Sequence, residues 1–364
     1  MRQANQSTLA LQVMALAVAF AASFGTNDAH AQRVKDPPSY TLHLLGLPTG
    51  FASARDVSIN DRHEIVGTVR VYASGSGGHA RAVYWAHPGA APVLLPCLSE
   101  PCQSRATTIN NLGVVSGAAN EQAVLWHPSG TSWILEVLIH PDPQDDTAWA
   151  LANDVLDDGT AGGSYDPTRV PWTLNEVPVI WGALGAVTEL PLPEGFLDGS
   201  LRRINDSRDG VGTVRINDGT DPTYVYGALW INDGGTYVSV PLTYFVNDLT
   251  PRAADGSSFL VAADAGRVRV WRDADTWNYV VDANPGGAGI AINAAGDMVG
   301  AIMKGGWQTG GGTPYLLTAG GTLTKLPLPS RMTGIAADVS SDRWVAGWLY
   351  LRTEQPAAVW APPN

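Results

Sequence analysis

The sequence predicts an all-β fold, a seven-bladed β-propeller of four-stranded blades. Three observations lead to this prediction. A short phrase recurs seven times, two apolar runs follow each of its first six copies and one follows the seventh, and the N-terminal part of the sequence can supply the strand that the last repeat lacks. Tandem repeats of this length that complete one another at the chain ends favour a closed ring of sheets.

The recurring phrase is clearest at residues 59–67, INDRHEIVG. Its seven copies end at Gly67, Gly117, Gly163, Gly212, Val261, Gly300 and Gly347. The period is about 47 residues, within the range of propeller blades. Asn, Asp and Gly inside the phrase favour a tight turn, because they tolerate positive φ or bond their own backbone. We therefore expect the phrase to join the first and second strands of each blade.

Two landmarks follow the phrase. One, present in all repeats but the last, is a run rich in Leu and Pro, and before it comes an apolar run that ends at Trp85, Trp126, Trp181, Trp230, Trp271, Leu317 and Trp360. Four short apolar segments per repeat, separated by turn signals, predict four strands. Their nearly continuous apolar character fits strands buried on both faces. We interpret the tryptophans as core residues between blades, with each indole N–H bonded to backbone, in preference to a sugar-binding role.

The two ends of the repeat region predict how the ring closes. The seventh repeat stops after its third strand, at Trp360, and residues 40–48 (YTLHLLGLP) match the fourth-strand run at residues 324–329 (TKLPLP). We expect this N-terminal strand to complete the last blade, which leaves only short, protected sheet edges. The alternative is an open β-solenoid, which needs a capping repeat at each end.

Residues 1–31 have the layout of a secretory signal peptide. Arg2 precedes an apolar run at residues 9–24, and a small-x-small site follows at residues 29–31. A buried N-terminal helix is the alternative. The run is shorter than the roughly 20 apolar residues of a spanning helix, so we expect no membrane span in the mature chain. We expect an exported protein, periplasmic or extracellular, in which residues 32–364 form a single propeller domain.

Composition excludes some classes of function. The net charge is −12, which argues against nucleic acid, because phosphate contacts need clustered Lys and Arg. Charged residues make up 15%, beside 40 Gly and 25 Pro, which fits a turn-rich β domain. Cys97 and Cys102 are the two cysteines, and in an oxidising compartment we expect them to form a disulfide. Two free thiols are the alternative.

The phrase and the tryptophan run together resemble the bacterial extracellular HAF repeat. The pattern A-x-x-IN-x-x-G-x-VVG is followed by A-x-x-W, and residues 79–85 (HARAVYW) approach the eponymous His-Ala-Phe, with Arg81 at the place of Phe. The resemblance covers residues 40–361. It implies an exported repeat protein, and it carries no established reaction and no catalytic residues.

Variable loops predict the position of a binding site. The loops between second and third strands are long at residues 68–81, 164–178, 213–227 and 302–314. These loops and the crossovers between blades share one face of a propeller, and variable loops on a rigid scaffold are common binding sites. The candidate ligand-binding residues on this face are Trp149, Tyr165, Arg169, Trp172, Tyr226 and Trp307. Local loop packing is the alternative for each tryptophan.

The sequence therefore predicts a monomeric, non-catalytic recognition or scaffold protein with a polysaccharide or protein ligand. The alternative is a secreted carbohydrate-active or other hydrolytic or lyase enzyme, with paired carboxylates on the same face. Its candidate acids are Asp142, Asp145, Asp146, Asp157 and Glu176, for which a solvated acidic surface is the competing interpretation. We expect no cofactor. Calcium at Asp142, Asp145 and Asp146 is a weak candidate, because no repeat contains the Asp-x-Asp-x-Asp-Gly pattern.

Overall fold

The structure of the chain is a computed structural model that describes residues 39–71, 79–139, 149–167, 175–183, 185–216, 224–262, 266–273, 276–283, 288–303, 311–350 and 355–363. In these ranges every regular element is a β-strand, and no helix is long and apolar enough to cross a membrane. Residues Ser39–Asn364 form a compact unit. The predicted signal peptide lies outside the described residues.

Twenty-eight strands in the described part of the chain form seven antiparallel sheets of four strands, so the predicted seven-bladed propeller is confirmed. Blades 1 and 2 consist of β2 (Ser53–Ile59), β3 (Ile65–Arg70), β4 (Ala80–Trp85), β5 (Val93–Leu94), β6 (Ser104–Ile109), β7 (Val115–Ala119), β8 (Gln122–Ser129) and β9 (Ser132–Val137). Blades 3 and 4 consist of β10 (Trp149–Val155), β11 (Ala161–Asp166), β12 (Val177–Trp181), β13 (Val187–Glu189), β14 (Asp198–Ile204), β15 (Gly210–Ile216), β16 (Tyr224–Asp233) and β17 (Thr236–Leu242).

Blades 5 and 6 continue the same order with β18 (Val246–Leu249), β19 (Ser258–Ala262), β20 (Gly266–Asp273), β21 (Thr276–Ala283), β22 (Ala288–Ile292), β23 (Met298–Ile302), β24 (Thr313–Leu317) and β25 (Leu323–Lys325). Blade 7 consists of β26 (Thr333–Val339), β27 (Val345–Tyr350), β28 (Ala357–Ala361) and β1 (Thr41–Leu44). The first strand of the chain is therefore the outermost strand of the last blade, as predicted. Its register with β28 pairs Thr41 with Ala361 and Leu44 with Ala358.

Each blade packs against the next, and the ring closes on itself. The second strand of every blade contacts the inner strand of the blade that follows, and β27 of blade 7 contacts β2 of blade 1 in the same way. Among the described residues, one apolar cluster fills each of the seven blade interfaces. This two-sided burial explains why the strand sequences are nearly continuous in apolar residues.

Five of the six recurrent tryptophans occupy these interfaces, as predicted, and the side chain of Trp271 is not among those that the structure describes. Trp85, Trp126, Trp181, Trp230 and Trp360 are buried, and each indole N–H donates a 2.8 Å hydrogen bond to a carbonyl oxygen of the preceding blade. Leu317, buried at the same place in blade 6, fills space without such a bond. The tryptophan landmark thus joins the third strand of one blade to the segment that follows the outer strand of the preceding blade.

The asparagine of the repeated phrase links the blades at their tight turns. The side-chain oxygen of Asn110 accepts the N–H groups of Leu112 and Val114, which closes its own turn. Its amide nitrogen donates to the carbonyl oxygen of Leu156 in the next blade at 2.8 Å. Asn60, Asn205 and Asn293 make the equivalent bond to the following blade. The phrase is therefore both a turn and an inter-blade connection.

The crossover from blade 1 to blade 2 contains the predicted disulfide. Cys97 and Cys102 are bonded, with their Cα atoms 5.7 Å apart, so the alternative of two free thiols is excluded. The bond closes a small loop immediately before β6, the inner strand of blade 2.

Candidate ligand-binding cavity on the propeller axis

The inner strand of every blade contains a break in register at an equivalent position. Each break includes the residue two positions before the aliphatic residue that ends the inner strand. The residues at the breaks are Asp56, Val57, Thr107, Asn153, Arg202, Asn247, Ile290 and Ala337. A β-bulge re-aims the side chain at its position. Here the bulged residues of all seven blades line one cavity of about 270 Å³ on the axis.

The glycine that ends the repeated phrase makes room for the bulge. In blade 2, Gly117 lies opposite the bulge, and a β-carbon added there would overlap the carbonyl oxygen of Arg105. Gly163, Gly212 and Gly347 face an inner-strand carbonyl oxygen in the same way. The phrase therefore needs glycine at this position, because the two strands approach closely where the bulge directs side chains toward the axis.

One residue beyond the bulges, carboxylates on three alternate blades each connect their own blade to the next one. Asp338 accepts the hydroxyl of Ser58 at 2.6 Å and the N–H of Ile59 at 3.0 Å, across the junction of blades 7 and 1. Asp154 accepts the N–H of Ile204 at 2.9 Å, and Asp248 accepts that of Ile292 at 2.9 Å. Each carboxylate also accepts the N–H of its own next residue.

Arg203 lies among these carboxylates. Its Nε is 3.9 Å from Oδ1 of Asp248, and its Nη1 donates to the carbonyl oxygen of Asn153. Burial alone would lower its pKa, but the charges of Asp154, Asp248 and Asp338 outweigh this and raise it. Burial in turn raises the pKa of Asp154, and it raises the pKa of Asp248 to about 7 against the opposing charge of Arg203. These four groups form a coupled layer beside the cavity.

Two polar atoms of the cavity wall have no partner. The Nε of Arg105 and the Nε1 of Trp348 are both buried, and neither has a hydrogen-bond partner among the described residues. A buried donor without an acceptor costs about 1–3 kcal/mol. Arg202 also lines the cavity, and its pKa is lowered first by burial and then by the positive charge of Arg203. The arrangement presents hydrogen-bond donors and positive charge to the axis.

The sequence-predicted binding residues lie elsewhere or outside the described residues. Arg169, Trp172, Trp307, Asp142, Asp145 and Asp146 lie outside the described residues. Trp149 begins β10 and is partly buried. Tyr165 is buried in β11 and donates its hydroxyl to Glu189, and the partly buried ring of Tyr226 packs edge-on against Phe196 at 5.5 Å. None of these three described residues lines the axial cavity.

The two described acids of the enzymatic alternative do not come together. Asp157 lies in the tight turn between β10 and β11, where it accepts the N–H of Asn111 at 2.8 Å. Glu176 immediately precedes β12, at the opposite face of the disc, and lies 3.7 Å from Arg215. No group of three or more His, Cys, Asp or Glu suited to a metal ion occurs among the described residues.

Sequence reasoning missed the axial residues, although the sequence contains a signal for them. Polar pairs stand immediately before the aliphatic residue that ends the inner strand in blades 2 to 5. They are Thr107-Thr108, Asn153-Asp154, Arg202-Arg203 and Asn247-Asp248. Polar residues at one fixed position of a buried strand indicate a shared environment, which here is the propeller axis.

Comparison with known proteins supports the fold. No protein-family model matches the chain, and no curated protein sequence does. A streptogramin B lyase is similar in structure, with a TM-score of 0.54 and 11% identity over 88% of this chain and 97% of that chain. Virginiamycin B lyase from Staphylococcus aureus has a TM-score of 0.52 and 11% identity, over 89% of this chain and 100% of that chain.

A third similar structure is the β-propeller domain of the Trilobed protease from Pyrococcus furiosus. Its TM-score is 0.50, with 12% identity over 85% of this chain and 93% of that chain. That domain has an open velcro topology, whereas β1 and β28 pair in the present chain. At these identities the likeness concerns the fold alone.

Proposed function

We propose that this propeller is an exported, non-catalytic binding protein that holds a small ligand on its axis. The observation that carries the proposal is the cavity lined by the bulged residues of all seven blades, with buried unpartnered donors on Arg105 and Trp348. A cavity with a few convergent polar groups is the usual form of a ligand site. Since such donors are costly when unpaired, a ligand that accepts from them gains affinity.

The ligand would enter from the face that carries the variable loops. The coupled layer of Asp154, Arg203, Asp248 and Asp338 lies one residue closer to the tight turns than the bulged residues do. The variable loops surround the opposite end of the axis, and they would contact the parts of a larger polysaccharide or protein ligand that extend beyond the cavity. The recognition role predicted from the sequence then combines an axial anchor with a loop face.

Export is part of the same proposal. The layout of residues 1–31 and the resemblance to the HAF repeat both point to an exported protein. The Cys97–Cys102 disulfide supports it, because disulfides persist in oxidising compartments. N-terminal sequencing of protein recovered from periplasm and medium tests cleavage after Ala31, and recovery of uncleaved chain in the cytoplasm contradicts it.

A thermal-shift screen of the exported protein tests axial binding. Sugars, oligosaccharides, peptides and calcium form the panel, and calcium also tests the weak site expected at Asp142, Asp145 and Asp146. A ligand present at about 100 times its Kd stabilises the fold by about 2.7 kcal/mol. Ala337→Phe fills the cavity and should abolish the shift, whereas Leu323→Phe on the exposed outer strand β25 should not.

The same screen separates binding from catalysis. A ligand recovered unchanged after incubation supports the binding role, and conversion to product that Glu176→Gln abolishes favours the enzymatic alternative. A shift that persists in Ala337→Phe moves the site off the axis and contradicts the proposal.

A further inference from the structure

The wall of the axial cavity is divided into two chemically different halves. The half built by blades 2–5 carries donors and positive charge, from Arg105, Thr107, Asn153, Arg202, Arg203 and Asn247. The half built by blades 6, 7 and 1 is mainly apolar, from Ile290, Ala337, Trp348 and Val57, together with the carboxylate of Asp56. A ligand that matches both halves must have an electron-rich polar end and an apolar or ring-shaped body.

The positive charge of the donor half is only partly balanced by the protein. Arg203 is matched by the carboxylates of the coupled layer. Arg105 and Arg202 form no ion pair within 4.0 Å in the described ranges of the chain, and the charges that act on Arg202 are those of Arg203 and Glu176. Arg202 has the like charge of Arg203 beside it, and an anion bound to the arginines of the cavity wall would relieve this repulsion.

The neutral donors of this half are also available to a ligand. The side-chain amides of Asn153 and Asn247 each donate one N–H to the next blade, to the carbonyl oxygens of Leu201 and Gly289. A primary amide has two N–H groups, so each asparagine retains one for which the described ranges show no acceptor. With the guanidinium of Arg105, these groups form an arc of donors around one side of the cavity.

The opposite half offers a surface for a ring. Trp348 projects from β27 into the cavity wall beside Ile290 and Ala337, and its Nε1–H has no hydrogen-bond partner in the described part of the chain. An indole face packs against sugar rings and aromatic rings alike, and its N–H serves one oxygen at the edge. A cavity of about 270 Å³ lies just below the range of drug-sized pockets and suits a single ring.

We propose that the axial cavity binds a carboxylate-bearing ring compound, with the carboxylate between Arg105 and Arg202 and the ring against Trp348. The inference rests on the proposed axial binding function and names its ligand class. Two sources share this chemistry, a sugar acid and an aromatic acid. Guanidinium groups recognise carboxylates by paired, charge-assisted hydrogen bonds, which explains the use of arginine here.

Calorimetric titration of the exported full protein tests the proposal with matched acid and neutral probes. Galacturonate is compared with galactose, and benzoate with benzyl alcohol. We expect one or both acids to bind at millimolar concentration or below, and each neutral partner to bind at least about tenfold more weakly. Binding of galacturonate alone identifies a sugar acid, binding of benzoate alone identifies an aromatic acid, and binding of both supports the shared class.

Variants assign the roles of the wall residues. Arg105→Gln and Arg202→Gln should each weaken acid binding about tenfold or more, since each removes a charged donor. Arg105→Lys keeps the charge but loses the paired geometry, so its affinity should be intermediate. Lys325→Gln removes one positive charge from the exposed outer strand of blade 6 and should leave the affinity unchanged. Trp348→Leu should lower the affinity of the cavity for the ring acids. It should not change binding of neutral compounds to the protein surface.

The outcomes separate this inference from the proposed function. If galactose or benzyl alcohol binds as tightly as its acid, and Ala337→Phe abolishes that binding, axial binding stands and the anionic ligand class is wrong. If Lys325→Gln weakens acid binding as much as the two arginine variants, the effect is general surface charge and the inference fails. Absence of binding by both acids in the folded wild-type protein also overturns it.

Discussion

The indole N–H of Trp126 in blade 2 donates a 2.8 Å hydrogen bond to the carbonyl oxygen of Pro96 in blade 1. The side chain is fully buried at the interface between the two blades. The same bond recurs at four other interfaces, so it is a structural unit of the repeat.

Trp126→Phe should destabilise the propeller by about 2–4 kcal/mol, because it leaves the Pro96 carbonyl unpaired and creates a void. Chemical denaturation with urea measures the change in the free energy of unfolding. The matched control is Trp133→Phe on outer strand β9, where the ring is partly exposed and packs edge-on against Tyr84 at 4.9 Å. We expect the control to cost under about 1 kcal/mol. Equal losses in the two variants would show that the inter-blade bond contributes nothing specific.

The glycine of the repeated phrase provides a second test. Gly117→Ala places a β-carbon against the carbonyl oxygen of Arg105, so either the β-bulge or the pairing of β6 with β7 must shift. Overpacking of this kind costs about 1–3 kcal/mol or more. Gly46→Ala is the control, because a β-carbon there meets nothing within 4 Å. The melting temperatures of both variants test this explanation. A Gly117→Ala protein as stable as wild type would show that the close approach of the strands does not require glycine.

The ring closure predicts the effect of losing the first strand. Deletion of residues 40–48 removes β1, the buried side chain of Leu45 and the carbonyl oxygen of Gly46 that accepts the indole N–H of Trp85. The melting temperature should therefore fall sharply, since the sheet edge of β28 and the interface of blades 7 and 1 are exposed. An unchanged melt would contradict closure by β1.

Point substitutions in the same strand avoid a gross change of the chain. Leu45 is 3% exposed and packs between blades 7 and 1, whereas its neighbour Leu44 is 52% exposed. Leu45→Ala should cost about 2–5 kcal/mol, and Leu44→Ala should have little effect. Similar losses at the two positions would indicate that β1 does not seal the interface.

The sequence predicted the architecture because each repeat contributes the same local signals. The Asn-containing turn, the tryptophan run and the split last repeat specify blade number, strand number and closure without knowledge of tertiary contacts. The inter-blade role of Asn110 could not be foreseen, because its bond to Leu156 crosses 46 positions of the chain. A turn residue and a turn residue that also connects blades have the same sequence pattern.

The axial cavity was less predictable than the fold. Its wall depends on β-bulges, which redirect single side chains and have no strict sequence signature. Loop length directed the sequence interpretation to the variable face, but Tyr165 proves to pack between blades 2 and 3, and Tyr226 between blades 3 and 4. The polar pairs before the phrase, such as Asn153-Asp154, gain meaning only when the ring brings them to one axis.

The pKa of Asp248 predicts how stability depends on pH. Burial raises this pKa from its ordinary 3.8 to about 7. Between about pH 4 and pH 7 the folded chain therefore binds more protons at Asp248 than the unfolded chain does. It follows that this group contributes stability that is complete below about pH 4 and is lost as the pH rises through about 7.

Asp248→Asn should remove this part of the pH dependence. Because neutral Asp and Asn are similar in shape, the variant should resemble wild type near the acidic end of the window and become relatively more stable as the pH rises. Melting temperatures measured between about pH 4 and pH 7 test this. The melting temperature of the variant will still depend on pH to some extent, because burial also raises the pKa of Asp154. The control is Asp255→Asn, because hydrogen bonds from Ser257 lower the pKa of Asp255 and place its titration below the window. A difference between wild type and Asp248→Asn that is constant with pH would mean that Asp248 remains charged beside Arg203 throughout, so that the attraction of the arginine outweighs burial.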